Sequence, residues 1–276
     1  MRLTLLGTGS PIPDPTRAGP STLVQAAGAS LLFDCGRGVL MRTAGVGVSP
    51  PMIDALLLTH LHSDHTTDLN DLITMRWAMS PAPNPLPIYG PPGTTRLVER
   101  TLSMLEADIG WRIAHHDDLD WEPRCDVTEV SEGTVLERDG LTVTAERTEH
   151  KPVDPTVGYR VESEGRVIAI AGDTVPCNGL DRLVAGADAY VQTVIRDSLV
   201  RAIPVPRLQD ILDYHSSIEQ AAATAERGGV AMLVMTHPVP PPLPGTEHEW
   251  EDEARTTFSG EVTLAHDLQV IDLSAG

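Results

Sequence analysis

Thr59 to Thr66 reads THLHSDHT, which places four candidate metal ligands, His60, His62, Asp64 and His65, within six residues. The stretch directly follows Ala55 to Leu58, a short continuous apolar run of the kind that forms a buried strand. A tight loop after such a strand can point His60 and His62 to one place and Asp64 and His65 to a neighbouring one. Imidazole with carboxylate suits zinc or a similar transition metal. A surface loop that merely exposes histidines would need no further ligands downstream, yet three recur. They are His150 after the run Leu141 to Ala145, Asp173 in Ala-Gly-Asp-Thr after Val167 to Ala171, and His237 in Met-Thr-His-Pro after Val230 to Met235. Each stands where a strand hands over to a loop, the edge at which layered α/β proteins usually place a site.

The rest of the chain reads as strands and helices punctuated by glycine and proline. Leu3 to Leu6, Thr22 to Gln25, Ser30 to Phe33, Pro87 to Tyr89, Asp126 to Val130, Thr156 to Val161 and Ala189 to Val194 have strand patterns. Asp68 to Met79, Thr94 to Leu105, Leu180 to Ala185 and Ile218 to Arg227 have helical ones, and the acidic run Glu247 to Glu253 fits a solvated helix face. Arg196 to Asp213 and Pro238 to Pro244 read as loops; both adjoin candidate site residues, as functional loops often do.

Twenty basic residues against 39 acidic ones leave a formal charge of -19 over 276 residues, so the chain as a whole repels polyanions and anionic membrane surfaces. That disfavours a nucleic acid partner, although metal ions or an arginine cluster can invert the field inside a cleft. Three cysteines with no CxxC pair, a short first apolar stretch and no run of membrane-spanning length imply a cytoplasmic protein with no membrane partner.

The order HLHSDH, lone His, GDT and terminal His resembles the metallo-β-lactamase superfamily over Leu3 to about His237. The resemblance implies an α/β (α+β) fold, the four-layer αββα sandwich, as a single domain over residues 1–276. It further implies two zinc ions, with manganese or iron also suited. His60, His62 and His150 would hold one, Asp64, His65 and His237 the other, and Asp173 would bridge them. LLGTGSPIP, LLFDCGRG, GDT and Tyr214-His215-Ser216-Ser217 are similar to the ribonuclease Z-like branch. In that branch the matching histidine faces the leaving group, so Asp64 and His215 are the expected catalytic residues. Homodimers occur in the branch.

Two departures shape the expected substrate. The branch's tRNA-gripping arm lies between the third His and the bridging Asp, where this chain has only the 23-residue interval from His150 to Asp173. The branch's His-Glu-Ala-Thr stretch is Gln192-Thr193-Val194-Ile195 here, without the glutamate. A small anionic ester, a phosphodiester or an aryl sulfate, is therefore the expected substrate. Arg196 and Arg201, clustered with Arg207 before His215, would bind its anionic group. Two metal ions sharing a water lower its pKa towards neutrality, which supplies the attacking hydroxide. Ribonuclease Z-type tRNA 3′ processing is the second reading, lactone or thioester hydrolysis the third, and a catalytically silent metal-binding protein the fourth.

Overall fold

The structure is a computed structural model that describes residues 1–273. Strands β1 (Arg2–Gly7), β2 (Ser21–Ala26), β3 (Ala29–Phe33), β4 (Ala55–Leu57), β5 (Leu86–Gly90) and β6 (Cys125–Glu129) belong to one sheet. Strands β7 (Gly133–Arg138), β8 (Leu141–His150), β9 (Val153–Ser163), β10 (Arg166–Ile170), β11 (Ala189–Ile195), β12 (Met232–Val239) and β13 (Glu261–Leu264) form the other. Strand β14 (Gln269–Asp272) returns to pair with β1. Helices α1 (Val39–Gly45), α2 (Ser63–Thr66), α3 (Leu69–Met79) and α4 (Thr94–His115) accompany the first half. Helices α5 (Asn178–Val184), α6 (Asp197–Arg201), α7 (Pro206–Gln209), α8 (Ile218–Gly228) and α9 (Glu247–Arg255) accompany the second.

Three apolar clusters make the layers. Leu3, Leu5, Val24, Phe33 and Leu57 of one sheet meet Val143, Tyr159, Val161, Ile168, Val191 and Val234 of the other. Leu32, Leu56 and Ile88 on the first sheet's outer face pack with Val39, Leu69, Leu72, Ile73 and Val98 from its helices. Tyr190 and Leu233 on the second sheet's outer face pack with Leu180, Ile218, Ala222 and Trp250. This is the expected αββα sandwich. Burying a large apolar side chain is worth roughly 1.5–3 kcal/mol, and strands buried on both faces explain the continuous apolar runs.

The sheets are stitched together just beneath the metal-motif loop. The Tyr159 hydroxyl donates to the Leu58 carbonyl at 2.8 Å, and the Val157 N–H donates to the Thr59 carbonyl at 2.9 Å. Strands β3, β4 and β5 are parallel, as are β10, β11 and β12, so their C-terminal ends open on common edges. Gly36 permits a close approach there: a Cβ on it would lie 2.5 Å from the Asp64 carbonyl oxygen and 2.5 Å from the Gly19 carbonyl carbon. Gly172, at φ +66°, would meet Thr59 in the same way.

Several elements differ from the sequence expectation. Strand β8 continues to His150, with Thr148 and His150 buried while Glu146, Arg147 and Glu149 face outward, which ends the apolar run without ending the strand. Helix α4 extends to His115; its second half keeps Leu105, Ile109 and Ile113 half-buried on one face, while Met104 and Trp111 are exposed. The segment 196–213, expected as loop, holds α6, α7 and a 3-10 turn at Asp210–Asp213. Among the described residues no helix is long and apolar enough to cross a membrane.

Candidate metal centre

All seven sequence-predicted ligands converge. Their donor atoms fall into two groups, one of His60, His62, His150 and Asp173 and one of Asp64, His65 and His237, each within 4.8 Å of one another. In the first group His60 Nε2 lies 3.0 Å from His62 Nδ1, which lies 3.3 Å from His150 Nε2. Ligands of a tetrahedral zinc at about 2.0–2.1 Å stand about 3.3 Å apart, so the spacing fits such an ion. Only His62 and Asp64 of the seven are not fully buried.

Asp173 sits at the centre. Its Oδ1 accepts from the Thr193 hydroxyl at 2.8 Å, which leaves Oδ2 facing the histidines. Oδ2 is 3.2 Å from His215 Nε2, 3.5 Å from His65, 3.7 Å from His60, 3.8 Å from His150 and 4.0 Å from His237. Burial would push this carboxyl up, but His237 and His65 outweigh it and hold it well below the usual range. One carboxylate oxygen among five imidazoles suits a group shared by two cations.

Outer contacts fix how the rings face. His65 Nδ1–H donates to Asp34 Oδ2 at 2.8 Å, and His150 Nδ1–H donates to the Tyr214 carbonyl at 2.8 Å. Each Nε2 then carries the lone pair a metal needs. His65 Nε2 is buried with no hydrogen-bond partner, an orphan that a cation would satisfy. Burial lowers His150 to about 4 and His60 well below its ordinary value, so both stay neutral donors near pH 7. For His65 burial acts in the same direction, but Asp173 and Asp34 outweigh it and raise its pKa well above the ordinary value.

Asp34 and Thr59 are the residues that sequence reasoning missed. Asp34 takes the Thr59 N–H on Oδ1 and the Thr59 hydroxyl on Oδ2, both at 2.8 Å, as well as His65. It does so at φ +57°, and His237 stands at φ +53°; non-glycine residues in this region typically sit where surrounding structure compels them. The Asp in LLFDCG was the available signal, hidden by a strand-to-turn position where Asp is common. Asp34→Asn keeps a residue that tolerates the left-handed region but presents an amide to His65. Metal affinity then falls about 10- to 100-fold, read by titration against a competing chelator; unchanged affinity would make Asp34 a mere turn residue.

His215 also reaches the cluster, against Asp173. Its Nδ1 faces the Ile211 carbonyl at a long 3.4 Å, and helix α8 positions it: Ser217 and Gln220 form a reciprocal capping box, and the Ser216 hydroxyl donates to the Thr174 carbonyl. Among the described residues no carboxylate takes the place of the absent glutamate: Thr193 is spent on Asp173, and Gln192 bonds Tyr190 and the Thr193 carbonyl. Arg196 and Arg201 are not brought to the ligands as free cations. Arg196 is paired with Glu249 and Glu253, and Arg201 with Asp197.

The model of the β-lactamase superfamily domain matches residues 30–238, a span that begins in β3 and ends one residue past His237. The chain belongs to the metallo-β-lactamase superfamily. As a member of that superfamily it is a metal-dependent hydrolase. It is 56% identical over 277 residues to a Ribonuclease Z of Mycobacterium avium, covering 100% of this chain and 99% of that protein. To the Ribonuclease Z of Mycobacterium tuberculosis H37Rv it is 52% identical, with 99% and 98% covered. Among solved structures, human tRNase Z, short form, superimposes with TM-score 0.75 at 25% identity over 100% of both chains. The metallo-β-lactamase fold protein YhfI of Bacillus subtilis shares the fold, with TM-score 0.73, 24% identity and 98% of each chain covered.

These relatives overturn the expected small-ester substrate, aryl sulfate included, and with it the disfavouring of nucleic acid. Two inferences failed: the short His150 to Asp173 interval was read as excluding tRNA, and a net charge of -19 was treated as if it described the mouth of the site. It is a sum over the whole surface, and local cations and bound metals set the field where a substrate lands.

Proposed function

We propose that this superfamily member is a ribonuclease Z-type endonuclease that cuts precursor tRNA at its 3′ side. The observation that carries the reading is identity above one half along the whole chain with proteins named Ribonuclease Z. The site supports phosphodiester chemistry. We assign two zinc ions to the two donor groups, one held by His60, His62 and His150 and the other by Asp64, His65 and His237, with Asp173 between them. When bound, such ions supply a water nucleophile near neutral pH and stabilise charge building on the phosphoryl oxygens. His65 and His150 are held for that task through Asp34 and the Tyr214 carbonyl. His215 Nε2, 3.2 Å from Asp173 Oδ2, is placed to hand a proton to the departing ribose oxygen. Water forms a P–O bond and gives up one proton to solvent, the P–O bond to the ribose oxygen breaks as that oxygen takes the His215 proton, and His215 is reprotonated from solvent.

The test is incubation of the metal-loaded protein with a tRNA precursor bearing a 3′ extension. The expected result is one endonucleolytic cut beside the mature 3′ end, lost in His60→Ala. An intact precursor after exposure to protein with full metal content would sink the reading.

A further inference from the structure

Only five of the twenty basic residues have no partner among the described residues. Thirteen arginines face carboxylates. Arg17 is taken by the Thr8 hydroxyl and the Ala265 carbonyl, and Arg76 is buried against the side-chain oxygen of Asn84 and a ring of backbone carbonyls. The remainder are Arg37, Arg96, Arg100, Lys151 and Arg207, all exposed. In a chain with nearly twice as many acids as bases, a solvated acid is the ordinary neighbour of any cation. Five unmatched cations invite a reason.

Their positions share one property: each follows the C-terminal end of a strand on the edge that carries the metal ligands. Arg37 comes after β3, in the turn where the Cys35 N–H donates to the His65 carbonyl. Arg96 and Arg100 follow β5, one helical turn apart on α4, whose N-cap Gly93 lies against Leu61 between His60 and His62. Lys151 is the residue after His150 at the end of β8. Arg207 lies in the segment after β11 that leads to Tyr214 and His215. The cations on the opposite edge are matched; Arg138, at the end of β7, pairs with Asp54, which precedes β4.

We propose that Arg37, Arg96, Arg100, Lys151 and Arg207 form a phosphate-binding rim that grips the RNA backbone around the metal centre. This rests on the nuclease reading above and names how its substrate is held. The interval from His150 to Asp173, where an arm would project, is filled by β9 and β10, so the grip must come from the body of the molecule. Guanidinium forks suit phosphate oxygens, and four of the five are arginine. Glu99, Glu149, Asp210 and Asp213 stand in the same stretches, which keeps the long-range field weak and makes the grip one of direct contact.

The test measures kcat/KM for a 3′-extended tRNA precursor across a KCl series. Each contact lowers the slope of log affinity against log salt by about 0.7–0.9, so each alanine variant should flatten the slope by that amount and lower kcat/KM about four- to fivefold near 0.15 M salt. Arg37→Lys, Arg96→Lys, Arg100→Lys and Arg207→Lys restore the slope, a rescue that a folding defect would not show. Arg138→Ala, on the opposite edge, keeps wild-type values. A wild type that cuts the precursor while the five alanine variants keep its slope overturns the rim and leaves the function standing. A wild type that does not cut the precursor overturns both.

Discussion

Asp173→Ala is expected to lower kcat/KM on precursor tRNA by at least about 10⁴-fold and to reduce the bound metal well below the wild-type content. Asp173 Oδ2 lies within 3.2–4.0 Å of five imidazoles, and no other side chain among the described residues faces both donor groups in this way. Its loss removes the carboxylate oxygen set among those imidazoles and leaves His60, His62 and His150 crowded at 3.0–3.3 Å with no carboxylate among them. Each tenfold in rate is about 1.4 kcal/mol, so 10⁴ asks for about 5.5 kcal/mol, within reach when metal and transition-state charge are lost together. Asp173→Asn keeps the shape and one accepting oxygen, and should fall between the two. Metal analysis beside steady-state kinetics settles the matter: full metal content with activity within tenfold of wild type would remove Asp173 from the centre.

The candidate ligands were legible because the chemistry is written in residue types that rarely cluster by chance. HLHSDH after an apolar run needs only that β4 end at Leu57, and the later ligands mark strand ends that apolar runs also betray. The supporting shell was not legible in the same way. Asp34, Thr59 and Thr193 are common residues in common positions, and their meaning comes from where three-dimensional packing sets their oxygens. Strand β13, Glu261–Leu264, was hidden for a different reason, since four residues carry too little alternation to register. The fate of the arginines shows the limit most sharply. Arg196 and Arg207 look alike in sequence, yet helix α9 brings Glu249 and Glu253 to the first and no acid to the second. Net charge missed the substrate for the same cause, because a sum over side chains holds no information about which of them are already matched.

His215→Ala should lower kcat on precursor tRNA by about 10²- to 10⁴-fold, the usual worth of a placed proton donor, while metal content stays near wild type. The ring reaches the centre through Nε2, 3.2 Å from Asp173 Oδ2, and packs edge-on against the His150 ring at 4.8 Å between centroids, but belongs to neither donor group. Two readouts separate proton donation from structural support. The ribose oxygen of RNA is a poor leaving group that needs a proton, whereas nitrophenolate departs without one, so the deficit should shrink markedly on a nitrophenyl phosphodiester used as a probe. The pH profile should also change, with the limb that reports the protonated acid absent in the variant. Among the described residues no carboxylate stands behind His215, for Nδ1 faces the Ile211 carbonyl at 3.4 Å and Thr193 holds Asp173 instead. On its other side His215 Nε2 faces Asp173 Oδ2, the carboxylate oxygen that also lies within 4.0 Å of His60, His65, His150 and His237. Equal losses on both substrates, with an unaltered pH profile, would reduce His215 to a packing residue and return proton donation to another group.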